Sequence, residues 1–276
     1  MDLKHEASSD TPALLPRSTF NEIAALYDQM RPSYPEQTFD DIVSVSRVGA
    51  DSSLLEIGCG TGKATAHFSR RGLQIHCVEL GSNMAAIARQ ILTDYPRVTI
   101  EVADFDLWTT AARYDLVYIA TAYHWLNPET REQRIASLLK PQGWLVLFRN
   151  CHVRNGSSDD FVDAAREVYL REAPSLVKVL RGVPHPSKVA ETGRVPLTSG
   201  FFEELPPHVY LWQQAYTATE YVQMLDTHSE NRLLADDERR RLFDGLISLI
   251  DMQFGGSIVK DYATILQMAR KVGSAA

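Results

Sequence analysis

Cysteine is scarce in this chain. Cys59, Cys77 and Cys151 are the three among 276 residues, and no two share a C-x-x-C spacing. An odd number without that spacing excludes a disulfide framework and a thiolate zinc site, and suits a reducing cytoplasm. H-E-x-x-H and calcium-loop patterns are missing too, so no metal is expected. Long hydrophobic runs are absent, none approaching the roughly 20 residues needed to cross a bilayer. The opening residues include Asp2, Lys4, His5 and Glu6, unlike a secretory leader. Basic side chains are outnumbered, 28 against 35, for a net charge of −7. The longest basic cluster, Arg239-Arg240-Arg241, follows Asp236-Asp237-Glu238 and reads as a solvated helix of mixed charge. These absences set the expectation of a soluble, cytoplasmic protein with no membrane and no nucleic-acid partner.

What is present is an ordinary globular balance, 45% hydrophobic and 23% charged. The length fits one large domain, or a domain carrying an insertion. Residues 1–18 are polar, hold Pro12 and Pro16, and read as a flexible arm. Two helices follow, separated by Arg31-Pro32-Ser33-Tyr34-Pro35, where the prolines enforce extended backbone. From Ser53 the pattern alternates strand and helix. Apolar runs at 54–57, 75–80, 98–102, 116–119 and 144–148 read as strands buried on both faces. Helices are expected around 63–71, 82–93 and 129–139. Repeated βαβ units imply an α/β fold with a doubly wound parallel sheet. The rhythm breaks after Phe148, and the prolines at 174, 184 and 186 sit in a stretch with no strand. The expected organisation is a core with its N-terminal helices at 19–150, a helical cap insertion at 151–206, and a return to the core sheet at 207–276.

The sharpest signal is Leu54-Leu55-Glu56-Ile57-Gly58-Cys59-Gly60-Thr61-Gly62, a strand running into three glycines and then a helix. Glycine permits backbone angles that other residues refuse and lets a ligand approach the main chain. A P-loop is excluded because Ala64 follows Lys63 where a magnesium-binding hydroxyl belongs. A dinucleotide fingerprint needs one more residue before the third glycine. Glu56, just before the loop, repels a pyrophosphate and suits a positively charged or amino-bearing ligand. A plain tight turn is the alternative. Glu79 ends the next strand, where an acid can reach the hydroxyls of a ribose held over the first loop. Asp104 ends the third, where it can accept from an exocyclic amine while Phe105 stacks on a purine; a turn cap is its other reading.

As a set these motifs resemble the class I S-adenosylmethionine-dependent methyltransferases. Tyr114-Asp115-Leu116-Val117 is similar to that family's fourth-strand motif, and Leu139 to Trp144 to the turn into its fifth strand. Tyr27 to Pro35 and Thr227-His228-Ser229 resemble the branch that includes trans-aconitate methyltransferases. The resemblance implies a Rossmann-like seven-stranded sheet with its last strand antiparallel, which suits the run 258–268. It implies S-adenosylmethionine as cofactor and S-adenosylhomocysteine as product. Carried over, Gly58, Gly60 and Gly62 hold the methionine part and Glu56 faces its amino group. Glu79, with Leu80 beside it, takes the ribose, and Asp104 and Phe105 the adenine. Thr121 and Ala122 lie under the sulfonium, and Tyr27 and Tyr34 close the top.

Such a transfer needs a positioned nucleophile more than a base. His124, with Tyr123 beside it, is the candidate catalytic pair, either as a general base or as a structural neighbour of the cofactor. The acceptor is expected to be a small molecule, apolar or aromatic, if Tyr123, Trp125, Phe161, Phe201, Phe202, Tyr210, Trp212 and Tyr216 line its pocket. Arg149 and Arg154 are the cations available for an acid. The rival readings are a NAD-dependent oxidoreductase on the same fold and a non-catalytic cofactor-binding protein. The N-terminal arm leaves room for a homo-oligomer.

Overall fold

A computed structural model describes residues 19–156, 158–177 and 183–272. The arm expected over 1–18 lies outside the described residues. The expected alternation is present as β1 Ser53–Ile57, β2 Gln74–Glu79, β3 Val98–Val102, β4 Tyr114–Ala120 and β5 Leu139–His152. These pair in parallel in the order β3-β2-β1-β4-β5. Helices Lys63–Arg70, Ser82–Ile91 and Arg131–Leu138 form the crossovers. Apolar side chains fill both faces of the sheet. Phe39, Phe68, Leu54, Tyr118 and Phe148 pack on one side, and Ile57, Val117, Ile119, Ile135 and Leu145 on the other. Each such fully buried side chain contributes roughly 1.5–3 kcal/mol of transfer free energy.

Among the described residues the sheet has eight strands instead of the seven expected. The long β8, Ser257–Lys271, runs antiparallel beside β5. Its other edge carries β6, Phe202–Glu204, and β7, His208–Thr217, both antiparallel. They are one edge interrupted at Pro206-Pro207, because a proline nitrogen cannot donate to the ladder. The extra strand is therefore a sixth strand cut in two.

Beyond Phe148 the chain does two things. β5 continues through His152, still paired with β8, so it overhangs the end of β4. Helix Asp159–Glu172 then packs on helices Ala218–Asp226 and Asp236–Gln253. Phe161, Val168, Tyr216, Tyr221, Leu246, Ile250 and Tyr262 form their common core. Thr217 and Glu220 cap the first of these two helices reciprocally. The insertion and the C-terminal helices thus share one apolar layer over the antiparallel end of the sheet.

Candidate functional site

Ligands in open α/β sheets bind beyond the carboxyl ends of the strands, where the winding reverses. Here that crevice, between β1 and β4, opens into a cavity of about 440 Å3. Gly58 turns the chain out of β1 with a φ of +72°, and a β-carbon there would lie 2.7 Å from that of Ala122. Only glycine satisfies both the left-handed angle and the close approach of the two loops. Gly60, at φ +57°, presents its N–H to Glu79 Oε2 at 2.8 Å, while Gly81 donates to Oε1 at 2.7 Å. Glu79 thereby locks the loop after β1 to the loop after β2. Burial pushes its carboxyl upward in pKa, opposed by those N–H groups.

Gly58, Gly60, Glu79, Leu80, Asp104, Phe105, Thr121, Ala122, His124 and Tyr27 all line the cavity. Asp104 also accepts from the N–H of Asp106 at 3.0 Å, so the turn-cap reading holds alongside the cavity position. The Arg134 guanidinium lies 5.3 Å from the centre of the Phe105 ring. His124 is exposed toward the cavity, and its ring makes no hydrogen bond among the described residues. Burial of part of the ring, then Arg149 and Arg131, hold its pKa below the ordinary value.

Four expected site residues stand elsewhere. Gly62, at φ +86°, starts helix Lys63–Arg70 and packs near Leu92 and Ala88, off the cavity wall. Glu56 lies behind the loop with none of its surface exposed. Its Oε2 accepts from Thr65 Oγ1 at 2.5 Å and from the Tyr118 hydroxyl at 2.7 Å, and Oε1 has no partner among the described residues. Burial raises its pKa to about 7. Tyr34 does not close the top. Its hydroxyl meets Thr121 Oγ1 at 2.9 Å, and its ring packs against Phe39 and Phe148. That bond braces Thr121, whose φ of 62° is costly for a β-branched residue. Tyr123 is turned into the core beneath Arg131, whose guanidinium lies 4.1 Å from the ring centre. Burial pushes its hydroxyl up to about 12, and the side chain lies off the cavity wall.

The aromatic acceptor pocket is not formed either. Of the eight aromatics expected there, only Trp125 lines the cavity. Phe161 and Tyr216 belong to the helical layer, Trp212 stacks on Tyr262, and Tyr210 donates to Asp41. Side chains in a cap were core because the three helices had to bury a face against one another. The cavity wall instead gains Arg31, Arg149, His228 and Glu230. Arg31 and His228 sit in the motifs quoted above for the resemblance, the one signal in the sequence that touched them. Arg149 is held by Gly193 O, at 3.2 Å from Nε and 3.0 Å from Nη2; Arg154 instead pairs with Asp159 and Asp163.

A doubly wound sheet with a glycine-floored cavity at its switch point defines a Rossmann-like fold. Comparison with known proteins narrows this. Residues 54–143 match the family described as "Methyltransferase domain". An uncharacterised methyltransferase of Mycobacterium tuberculosis is 29% identical over 132 residues, 48% of this chain and 52% of that protein. Another, from Schizosaccharomyces pombe, is 24% identical over 237 residues, 84% of this chain and 87% of that one. The chain spans about half the length of the mycobacterial relative. The structure of the YcgJ protein of Bacillus subtilis superposes with a TM-score of 0.52 at 15% identity, covering 87% of this chain and 100% of that one, which shows the fold. Residues 54–143 are therefore similar to a methyltransferase domain, and the fold is the Rossmann-like one.

Proposed function

We propose that this protein is an S-adenosylmethionine-dependent methyltransferase acting on a small molecule, through oxygen or carbon. The observation that carries the reading is the Gly60–Glu79–Gly81 clasp, facing a cavity shared with Asp104 and Phe105. The residues fit the cofactor. Gly58 keeps the floor clear of side chain, Glu79 and Asp104 supply acceptors for hydroxyls and an amine, and Phe105 and Leu80 supply apolar surface. The cofactor brings a methyl group on a sulfonium, already activated for in-line displacement. The chain's task is placement: Thr121 and Ala122 form the shelf past β4, braced from below by Tyr34. His124, largely neutral at physiological pH, is the group able to take a proton from an acceptor hydroxyl. His228, Ser229 and Glu230, after helix Ala218–Asp226, supply the acceptor side.

The test is a melting-temperature comparison with S-adenosylmethionine, S-adenosylhomocysteine, NADH and ATP, each alone. A ligand at a hundredfold excess over its dissociation constant stabilises by about 2.7 kcal/mol. A rise with the two sulfur nucleosides, lost in Glu79→Ala, is the expected result. A rise with NADH alone overturns the reading.

A further inference from the structure

The edges of the sheet are protected unequally. At the parallel edge β3 spans only five residues, Glu101 stands in it, and the Arg89 guanidinium donates to the carbonyl of Ile100 at 2.8 Å. At the antiparallel edge β6 spans three residues, two of them Glu203 and Glu204, and Pro206-Pro207 follow it. Shortness, charge and proline are the devices that keep a strand edge from pairing with another chain. β7 has none of them. Its ten residues hold no proline, lysine, arginine or carboxylate, and only His208, at one end, can take a charge. Its ladder to β8 runs without a bulge, and its outer edge has no strand partner among the described residues. At about 3.4 Å per residue that edge is roughly 34 Å long.

The strand is also held in place. On one face Tyr210 donates to Asp41 Oδ2 at 2.6 Å, Trp212 Nε1 donates to Thr264 Oγ1 at 2.9 Å, and the Tyr216 hydroxyl meets that of Tyr262 at 2.9 Å. On the opposite face Leu211 is 50% exposed, and the exposed Ala215 stands across the ladder from Val259, 39% exposed. A fixed row of backbone donors and acceptors thus lies beside a small apolar stripe, and little conformational freedom is left to lose when a strand arrives. The strand that fits is β7 itself. A twofold axis at Gln213 sets Leu211 of one copy against Ala215 of the other on either side of the axis, and Val209 against Thr217. His208 falls beyond the last pair, so no charge meets a like charge. The same neutrality leaves no charge by which the edge could select a foreign strand.

We propose that β7 is a dimerisation edge, at which two copies of this chain join antiparallel about a twofold axis into one continuous sheet. Main-chain hydrogen bonds hold the pair, and Leu211, Ala215 and Val259 of the two copies close over one face of it. No residue of β7 lines the cavity, so the pairing does not depend on the cofactor or on the methyltransferase reading.

The test is the mass of the full chain by light scattering over a wide range of concentration. The expected result is twice the 31.0 kDa of one chain, with amide exchange over 208–217 slowing as the double mass appears. Leu211→Lys combined with Ala215→Lys sets like charges across the axis and is expected to run as a single chain. Leu211→Glu combined with Ala215→Glu is expected to do the same. Mixed in equal amounts, the lysine and glutamate variants are expected to regain the double mass, which misfolded chains would not do. Ile91→Lys, at an exposed apolar residue of helix Ser82–Ile91, is expected to keep the dimer. A wild-type chain that stays single at every concentration overturns the proposal and leaves the edge to a strand of another protein. Growth past two copies overturns it, as does a mixture that stays single. A dimer that survives the double lysine variant, or is lost in Ile91→Lys, overturns it too, because the contact then lies elsewhere.

Discussion

The two ends of the sheet reach the same cavity by different rules. In the parallel end, β1 to β4, each contribution comes from the few residues at or after the end of a strand: Gly58 and Gly60 after β1, Glu79 to Gly81 at the end of β2, Asp104 and Phe105 after β3, Thr121, Ala122 and His124 after β4. On the far side, beside the antiparallel end, the contributors are Arg31, Arg149, His228 and Glu230, gathered from three separate stretches. Parallel crossovers bring successive strand ends to one edge automatically. An antiparallel addition brings only what its own turns and overhangs carry there. The first end can thus be built from backbone and short loops, which suits a fixed cofactor. The second depends on long-range packing, which suits a variable acceptor.

The comparison predicts that disturbing the first end costs binding, whereas disturbing the second costs stability. Gly58→Ala strikes the first end at its floor. Its β-carbon meets Ala122 at a left-handed angle, and S-adenosylhomocysteine affinity is expected to fall about a hundredfold by calorimetry, a loss near 2.7 kcal/mol. Asp261→Ala removes the buried acceptor that ties Ser158 and Gln213 to β8. A loss of about 3 kcal/mol in denaturant unfolding is expected, with S-adenosylhomocysteine affinity unchanged; a matching loss of affinity breaks the comparison.

Glu56 sharpens it through pH. Its folded pKa of about 7 stands above the ordinary 4.5, so the folded protein holds the proton more tightly than the unfolded chain. Stability from this group is full below the ordinary value, falls as pH rises from about 4.5 to 7, and is flat above. Glu56→Gln keeps the acceptor for Thr65 and Tyr118 and removes the titration. It is expected to gain up to about 3 kcal/mol at pH 8 and little at pH 4, read from urea midpoints. A variant with the wild-type slope sinks the assignment. The smallest effect is expected from Tyr34→Phe, which frees Thr121: about 1 kcal/mol in stability and a few-fold in S-adenosylhomocysteine affinity.

The parallel end was legible because strand, glycine turn and helix are local in sequence. All five parallel strands stood out as apolar runs, and the residues just past them reached the cavity. Where a local reading misplaced a side chain, burial was the reason. Tyr123 is the neighbour of His124, yet one step along a 3-10 turn sends it under Arg131 into the core. Glu56 alternates away from the loop because it is still part of β1. Arg31 and His228 lay in recognisable motifs without a visible role, since they are almost 200 residues apart and meet only across the cavity.

By itself, then, the sequence determined the doubly wound core, the glycine loop and the acidic strand ends, because periodicity and turn chemistry act over a handful of neighbours. The tertiary structure alone decided which side chains face the cavity on its far side. Burying one face of each C-terminal helix turned the expected aromatic lining into core. The length of β5 past β4 carried Arg149 to the cavity's edge. Lys260 was buried beside Phe161 and Tyr221 by packing between layers that no local pattern encodes.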